Sequence, residues 1–292
     1  MIAVNWGTTN FRAYHLDENG AIADERSSAR GILSVEPGRF PEVLYAEIRD
    51  WLNLGDVHVL LAGMVGSRQG WKEVPYVPCP AGIEELSREL IAVGFDYAET
   101  SIVPGLSCLD QSGVTEMMRG EECEIIGILE SCLGPKTVCL PGTHSKWVNL
   151  DRGKVSGFVT FMTGEVYAAL RDHTILSRLM RPEIRKDEPF REGLKRSAEV
   201  GGLLHHLFGV RSLVLAARMN EEDAASYLSG LLIGHEVSAM LKARSPVHLV
   251  GTSSLCRLYA QAISTFGGTS SIESDGAAAR GLAAIGRRLG WI

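Results

Sequence analysis

Two stretches of this chain follow the same plan. Ile2–Trp6 and Phe11–Leu16 read as strands parted by Gly7-Thr8-Thr9-Asn10, and the turn Asp17-Glu18-Asn19-Gly20 leads to a third strand over Ala21–Arg26. Thr137–Leu140 and Lys146–Leu150 flank Gly142-Thr143-His144-Ser145 in the same way, and Asp151-Arg152-Gly153-Lys154 leads to Val155–Phe161. Gly7 and Gly142 lie 135 residues apart. Val57–Gly63 (VHVLLAG) has its own echo in Val247–Gly251 (VHLVG). So long a period excludes a solenoid and predicts two copies of one domain, each opening on a three-stranded meander. A single G-T-x-x turn reads as a surface hairpin before it reads as a phosphate cradle. Two in duplicated domains predict a pair of jaws, whose amides meet phosphates from both sides.

Between these anchors the periodicity predicts a helix over Pro41–Leu54, entered through Pro41 and carrying Val43, Leu44, Ile48 and Trp51 on one face. Val57–Gly63 is a continuous apolar run, as a strand covered on both faces should be. Helices are expected over Ile83–Val93 and Met117–Leu129, and a short strand over Ser101–Pro104. The charged run Arg181–Arg196 reads as a solvated loop or helix face.

A chain of 292 residues has room for two domains, and 45% hydrophobic with 22% charged residues describes a globular protein. The formal net charge of -6 argues against nucleic acid or an anionic membrane as partner. No apolar run reaches membrane-spanning length, and Asn5 comes too early for a signal peptide, so a cytoplasmic location is expected. The six cysteines contain no C-x-x-C pair, which predicts reduced thiols. Neither a Walker A loop nor a G-x-G-x-x-G fingerprint is present. His144 beside Ser145, and the His205-His206 pair, fit no zinc or hydrolase spacing and read as structural or loop residues.

The series NWGTTNFR, AGMVGSRQGW, MRGEE, PGTHSKW, FMTGE, LSGLLIGHEV and DGAAARGL covers nearly the whole chain. In that order it resembles the 2-dehydro-3-deoxygalactonokinase family of the actin-like ATPase superfamily. The resemblance implies an α/β fold of two ribonuclease-H-like domains with an interdomain cleft, here residues 1–118 and 119–292. It implies ATP and Mg2+ as cofactors and a small sugar acid, 2-dehydro-3-deoxy-D-galactonate, phosphorylated on its 6-hydroxyl in galactonate catabolism. A kinase acting on another small hydroxylated compound and a non-catalytic nucleotide-binding sugar sensor are the competing readings.

The resemblance also assigns roles. Gly7, Thr8 and Thr9 form the first phosphate turn, Gly142 and Thr143 the second, and Gly251 with Thr252 the adenosine-binding turn. Glycine admits close approach of a phosphate, and threonine adds a hydroxyl donor. Phosphoryl transfer needs a group to take the hydroxyl proton. By position alone Glu121 and Glu122 complement a helix N-terminus, whereas the resemblance makes Glu121 the base. Arg68, Lys72 and Arg119 are the candidate cations for the substrate carboxylate. Trp71, and Trp6 behind the first turn, are either packing partners of the sugar acid or core fillers. Lys146 is a phosphate contact or a solvated strand lysine, and Glu165 reads as structural. Asn5 stands where the resemblance places an aspartate that holds magnesium through water. An amide keeps the oxygen and removes the charge, which should weaken metal binding.

Overall fold

The computed structural model describes residues 1–129, 136–181, 187–241, 246–273 and 275–292. The chain divides into two compact units: Met1–Pro135 with Val148–Phe158 and Gly276–Ile292, and Lys136–Trp147 with Val159–Asp275. The boundary expected after residue 118 thus falls inside the first unit.

In the first unit the meander is β1 (Ile2–Trp6), β2 (Phe11–Leu16) and β3 (Ile22–Ser28), antiparallel throughout. Helix α1 (Phe40–Leu52) leads to β4 (His58–Ala62), which pairs parallel with β1. Then follow β5 (Tyr76–Pro78), α2 (Ile83–Arg88), β6 (Ile91–Val93), β7 (Glu99–Ile102), β8 (Gly105–Leu109), β9 (Thr115–Met118) and α3 (Glu121–Ile126). The main sheet runs β3-β2-β1-β4-β7-β6, and β5-β8-β9 form a small second sheet. Ile2, Val4 and Trp6 of β1 are fully buried, as a strand in the middle of a covered sheet requires. The outer strand β3 instead carries Asp24, Glu25 and Arg26, charges that discourage further pairing at that edge. Phe40, Leu44, Ile48 and Trp51 give α1 one buried face.

A second large sheet is built on β10 (Lys136–Leu140), β11 (Ser145–Asp151) and β12 (Lys154–Phe161), whose residues Val148–Phe158 count with the first unit. The second unit continues with α4 (Thr163–His173), α5 (Asp187–Ser197), α6 (Gly202–Leu215), α7 (Glu221–Met240), β13 (Val247–Leu249), α8 (Ser253–Thr265) and β14 (Ser270–Ile272). The order of this sheet, β12-β11-β10-β13-β14, repeats the β3-β2-β1-β4-β7 order of the first sheet. The duplicated ribonuclease-H-like pattern is therefore present in the strand order itself. Trp147, Phe190, Ile233, Val237, Cys256 and Tyr259 lie in its core. No described helix is long and apolar enough to cross a membrane.

Two expected helices are shorter than their patterns. The segment Ile83–Val93 stops being helical at Arg88, and Ile91–Val93 pairs antiparallel with β7, where β-branched side chains suit the pleat. Met117 and Met118 end β9 rather than begin α3. Gly120, at φ 110°, cannot be helical, and the helix begins at Glu121. The charged run after Arg181 is the amphipathic helix α5, burying Phe190 and Leu194, and its residues 182–186 lie outside the described ones.

The last helix, α9 (Ala277–Leu289), packs on α3 in the first unit. A Cβ on Gly281 would stand 1.8 Å from the Cys123 carbonyl oxygen, and one on Gly127 would stand 1.9 Å from that of Ala277. The two helices meet backbone to backbone. Gly281→Val should cost upwards of about 2 kcal/mol by overpacking, lowering the melting temperature by roughly 5 °C or more. Gly94→Ala, where an added Cβ meets nothing within 4 Å, is the matched control in the same thermal melt.

Helix α3 also hides charge. Glu122 is fully buried, and the Gly120 N–H donates to its Oε2 at 2.7 Å. Burial first, then the neighbouring Glu121, pushes Glu122 up to about 8, and the same two causes push Glu124 up to about 7. The folded chain thus keeps protons that the unfolded chain releases near an ordinary glutamate value, so stability is highest below that value and falls as pH rises towards about 8. The melting temperature should drop between about pH 5 and pH 8 by this linkage. Glu122→Gln, whose amide oxygen still accepts the Gly120 N–H, should flatten that drop. A variant as pH-dependent as the parent would clear Glu122 of the effect.

Candidate active site

In parallel sheets of this kind ligands gather at the carboxyl ends of the strands. Asn5 and Gly7 lie at the end of β1, and Gly142 and Gly251 just past β10 and β13.

In the first unit, Asn5 is opposite Ala62 in the β1–β4 register. Gly63, directly after β4, has φ 94°. A Cβ there would lie 2.8 Å from the Trp6 carbonyl oxygen and 3.0 Å from Asn5 Oδ1. A Cβ on Gly120 would in turn lie 3.3 Å from Gly63 Cα and 3.8 Å from Asn5 Oδ1. Asn5, Gly63 and Gly120 therefore stack with no side chain between them, and the next residue along is Glu121. The Arg119 N–H donates to Glu121 Oε2 at 3.0 Å, which orients the half-buried carboxylate. The expected base and the expected metal partner belong to one cluster.

The Gly7-Thr8-Thr9-Asn10 turn projects from the same edge. Its Gly7 N–H donates to the Asn10 carbonyl at 2.9 Å. The carbonyls of Gly7, Thr8 and Thr9 accept from Ile32, Leu33 and Gly31, which turns them inward. Thr8 and Thr9 are exposed, and among the described residues their amides have no backbone acceptor.

The four substrate-side expectations land in different surroundings. Arg119 is buried, its Nη2 donating to the Val74 carbonyl at 2.5 Å and its guanidinium lying 4.2 Å above the Tyr76 ring. Its Nε and Nη1 find no hydrogen-bond partner among the described residues. Arg68 is largely exposed and pairs with Glu73 at 3.6 Å. Lys72 Nζ donates to the Ala92 carbonyl at 3.0 Å. Trp71 stacks on Phe40 with ring centroids 6.3 Å apart, against the unit's core. Trp6 is a core residue, fully buried, with its Nε1 donating to the Arg30 carbonyl at 2.8 Å.

In the second unit, Gly142 and Thr143 follow β10, while Gly251 follows β13, its parallel neighbour, with φ 141°. Gly251 and Gly63 thus occupy equivalent places, each closing a VH-type apolar strand. Thr252 caps α8 from the first position before it, its carbonyl accepting the Leu255 and Cys256 amides. A cavity of about 340 Å³ opens beside these turns, lined by Gly142, Thr163, Phe190, Ser226, Leu255 and Tyr259 among others. Its wall is fixed by a buried polar network: Glu236 Oε2 accepts from Tyr259 at 2.7 Å and Ser145 at 3.2 Å, and Oε1 from Trp147 Nε1 at 2.8 Å. Burial raises the Glu236 pKa. Ser145 is thereby tied into this buried network.

His144 pairs with Glu165 through its Nε2, so Glu165 has a partner beside the Gly142-Thr143 turn. Lys146 is not solvated: it is 4% exposed, and its Nζ donates to the His144 carbonyl at 3.2 Å. His206 is buried and bonded to His235 at 3.1 Å. Among the described residues no group of three or more His, Cys, Asp and Glu could hold a metal, and the five described cysteines are free. Sequence reasoning missed Gly63, Gly120 and Tyr76. The echo of VHVLLAG in VHLVG was the one signal that pointed to Gly63.

The family model described as 2-keto-3-deoxy-galactonokinase matches residues 5–285. A protein of Rhizobium meliloti (strain 1021), named probable 2-dehydro-3-deoxygalactonokinase, is 34% identical over 98% of this chain and 96% of its own. The 2-dehydro-3-deoxygalactonokinase of Escherichia coli (strain K12) is 35% identical over 91% of this chain and 90% of its own. A solved structure from Sinorhizobium meliloti, described by the same kinase name, superposes with a TM-score of 0.91 at 35% identity, covering 99% of this chain and 96% of that one. The activator of the 2-hydroxyisocaproyl-CoA dehydratase from Clostridium difficile, solved with ADPNP bound, shares the fold at a TM-score of 0.54 and 14% identity, over 100% of this chain and 97% of that one. With matching motifs, a repeated strand order and relatives over the full chain, the protein belongs to the 2-keto-3-deoxy-galactonokinase family.

Proposed function

We propose that this chain transfers the γ-phosphoryl group of ATP to the 6-hydroxyl of 2-dehydro-3-deoxy-D-galactonate, a step of galactonate catabolism. The observation that carries the reading is the stack of Asn5, Gly63 and Gly120 that brings Glu121 to the carboxyl edge of β1 and β4. There Glu121 would take the hydroxyl proton as the sugar oxygen bonds to phosphorus and the bond to the β-phosphate breaks, releasing ADP. In the first unit the Thr8 and Thr9 amides would serve as phosphate donors, and in the second the Gly142-Thr143 turn would meet phosphate beside the cavity at α8, which would take the adenosine.

A magnesium ion fits the first unit in one respect: the missing side chains of Gly63 and Gly120 leave room beside Asn5 Oδ1. With no cluster of acidic ligands among the described residues, it would be held mainly by phosphates and water, Asn5 contributing a neutral oxygen. Such an ion supplies neutralisation of phosphate charge. For the substrate carboxylate, Arg119 is supported by its unshared N–H groups, and Arg68 and Lys72 are the exposed alternatives. Trp71 would flank the carbon chain.

A coupled ADP-release assay across a panel of 2-keto-3-deoxy sugar acids tests the assignment. Turnover preferring the galactonate-derived acid supports it, preference for another acid moves the substrate, and nucleotide binding without turnover would favour a sensor. Glu121→Gln should lower kcat by roughly 10²–10⁴ while leaving ATP binding intact. Full activity in that variant would remove Glu121 as base. Asn5→Asp should shift the magnesium activation curve to lower concentration without altering the choice of acid. Superimposable curves would deny position 5 a metal role.

A further inference from the structure

The second phosphate turn carries a clamped imidazole. His144 and Glu165 join through Nε2 and Oε2, although their side chains are 47% and 50% exposed. An exposed pair of this kind adds little stability, and it turns the Nε2 edge of the ring towards α4. Glu165 is itself anchored, since its N–H donates to the Thr143 carbonyl at 3.0 Å. A Cβ on the preceding Gly164 would fall 2.4 Å from the Gly142 carbonyl oxygen and 2.8 Å from Thr143 Cα, so the start of α4 touches the Gly142-Thr143 turn backbone to backbone. Among the described residues the charged groups against His144 are Glu165 from α4 and Lys146 from β11, whose Nζ holds the His144 carbonyl.

We infer that His144, oriented by Glu165, contacts the nucleotide's phosphates as a proton-dependent donor. The inference rests on the nucleotide reading above. With Nε2 committed to the carboxylate, Nδ1 is the nitrogen left for a ligand, and it donates only when the ring is protonated. Glu165 is a positioning residue, in the manner of the carboxylates that orient histidines at metal sites.

Calorimetric titration of the full chain with magnesium and a non-hydrolysable ATP analogue, and separately with adenosine, tests this at about pH 5.5 and about pH 8.5. His144→Gln should weaken analogue binding about tenfold at the lower pH, as loss of a charge-assisted hydrogen bond would, and change nothing at the higher. Comparing variants at one pH cancels the titration of the phosphate itself. Adenosine binding should be indifferent to pH and variant. Glu165→Gln should shrink the low-pH advantage severalfold, and His144→Arg should hold the tighter affinity at both values. Equal analogue affinity in wild type and His144→Gln at both pH values would overturn the inference. Should His144→Gln lose adenosine as well, the Arg variant decides, because parental pH dependence there would also overturn it. A wild-type chain that binds neither probe would defeat the nucleotide reading instead.

Discussion

The parallel pairing of β1 with β4 governs everything built at the first unit's edge. Antiparallel strands could return through a two-residue turn, but a parallel neighbour demands a crossover, here through α1. The crossover puts the ends of both strands, Asn5-Trp6 and Ala62-Gly63, at one rim. The rim is then crowded with backbone, and the only residues that fit the closest approaches have no side chain. The second unit repeats the device with β10 and β13, and with Pro141-Gly142 and Val250-Gly251 at the rim. Function at such an edge is a matter of which short, polar turns the strands release there.

Much of this was legible beforehand, because the strongest signals were periodic or repeated. The meander in each unit, the α1 face and the apolar β4 run were set by alternation, helical spacing and length. Short elements in the middle were not. Strand β5 finds its partner β8 only after α2, β6 and β7 have intervened, and nothing local in Tyr76–Pro78 announces a sheet. Ile91–Val93 sits on a helical pattern until its pairing with β7 overrides it.

The site divided along the same line. Gly7, Gly142 and Gly251 were expected in turns after strands and lie there, and Glu121 opens α3. The environment of a long side chain was not legible in this way. Arg68, Lys72 and Arg119 are interchangeable as sequence cations, yet one is exposed, one is tied to a carbonyl and one is buried above an aromatic ring. Trp6 and Trp71 turned inward because the sheet and α1 leave apolar volume there for large rings to fill.

The return of α9 to α3 has a consequence for biogenesis. The first unit is interrupted by the second, so its final helix leaves the ribosome about 150 residues after the partner it must cover. At the usual pace of translation that interval is on the order of ten seconds. Throughout it the surface of α3 around Cys123 and Gly127 waits bare, with the nascent second unit free to condense first. The N-terminal half of this protein is thus the first made and the last completed, and its vulnerability to chaperones, proteases and misassociation is concentrated in that delay.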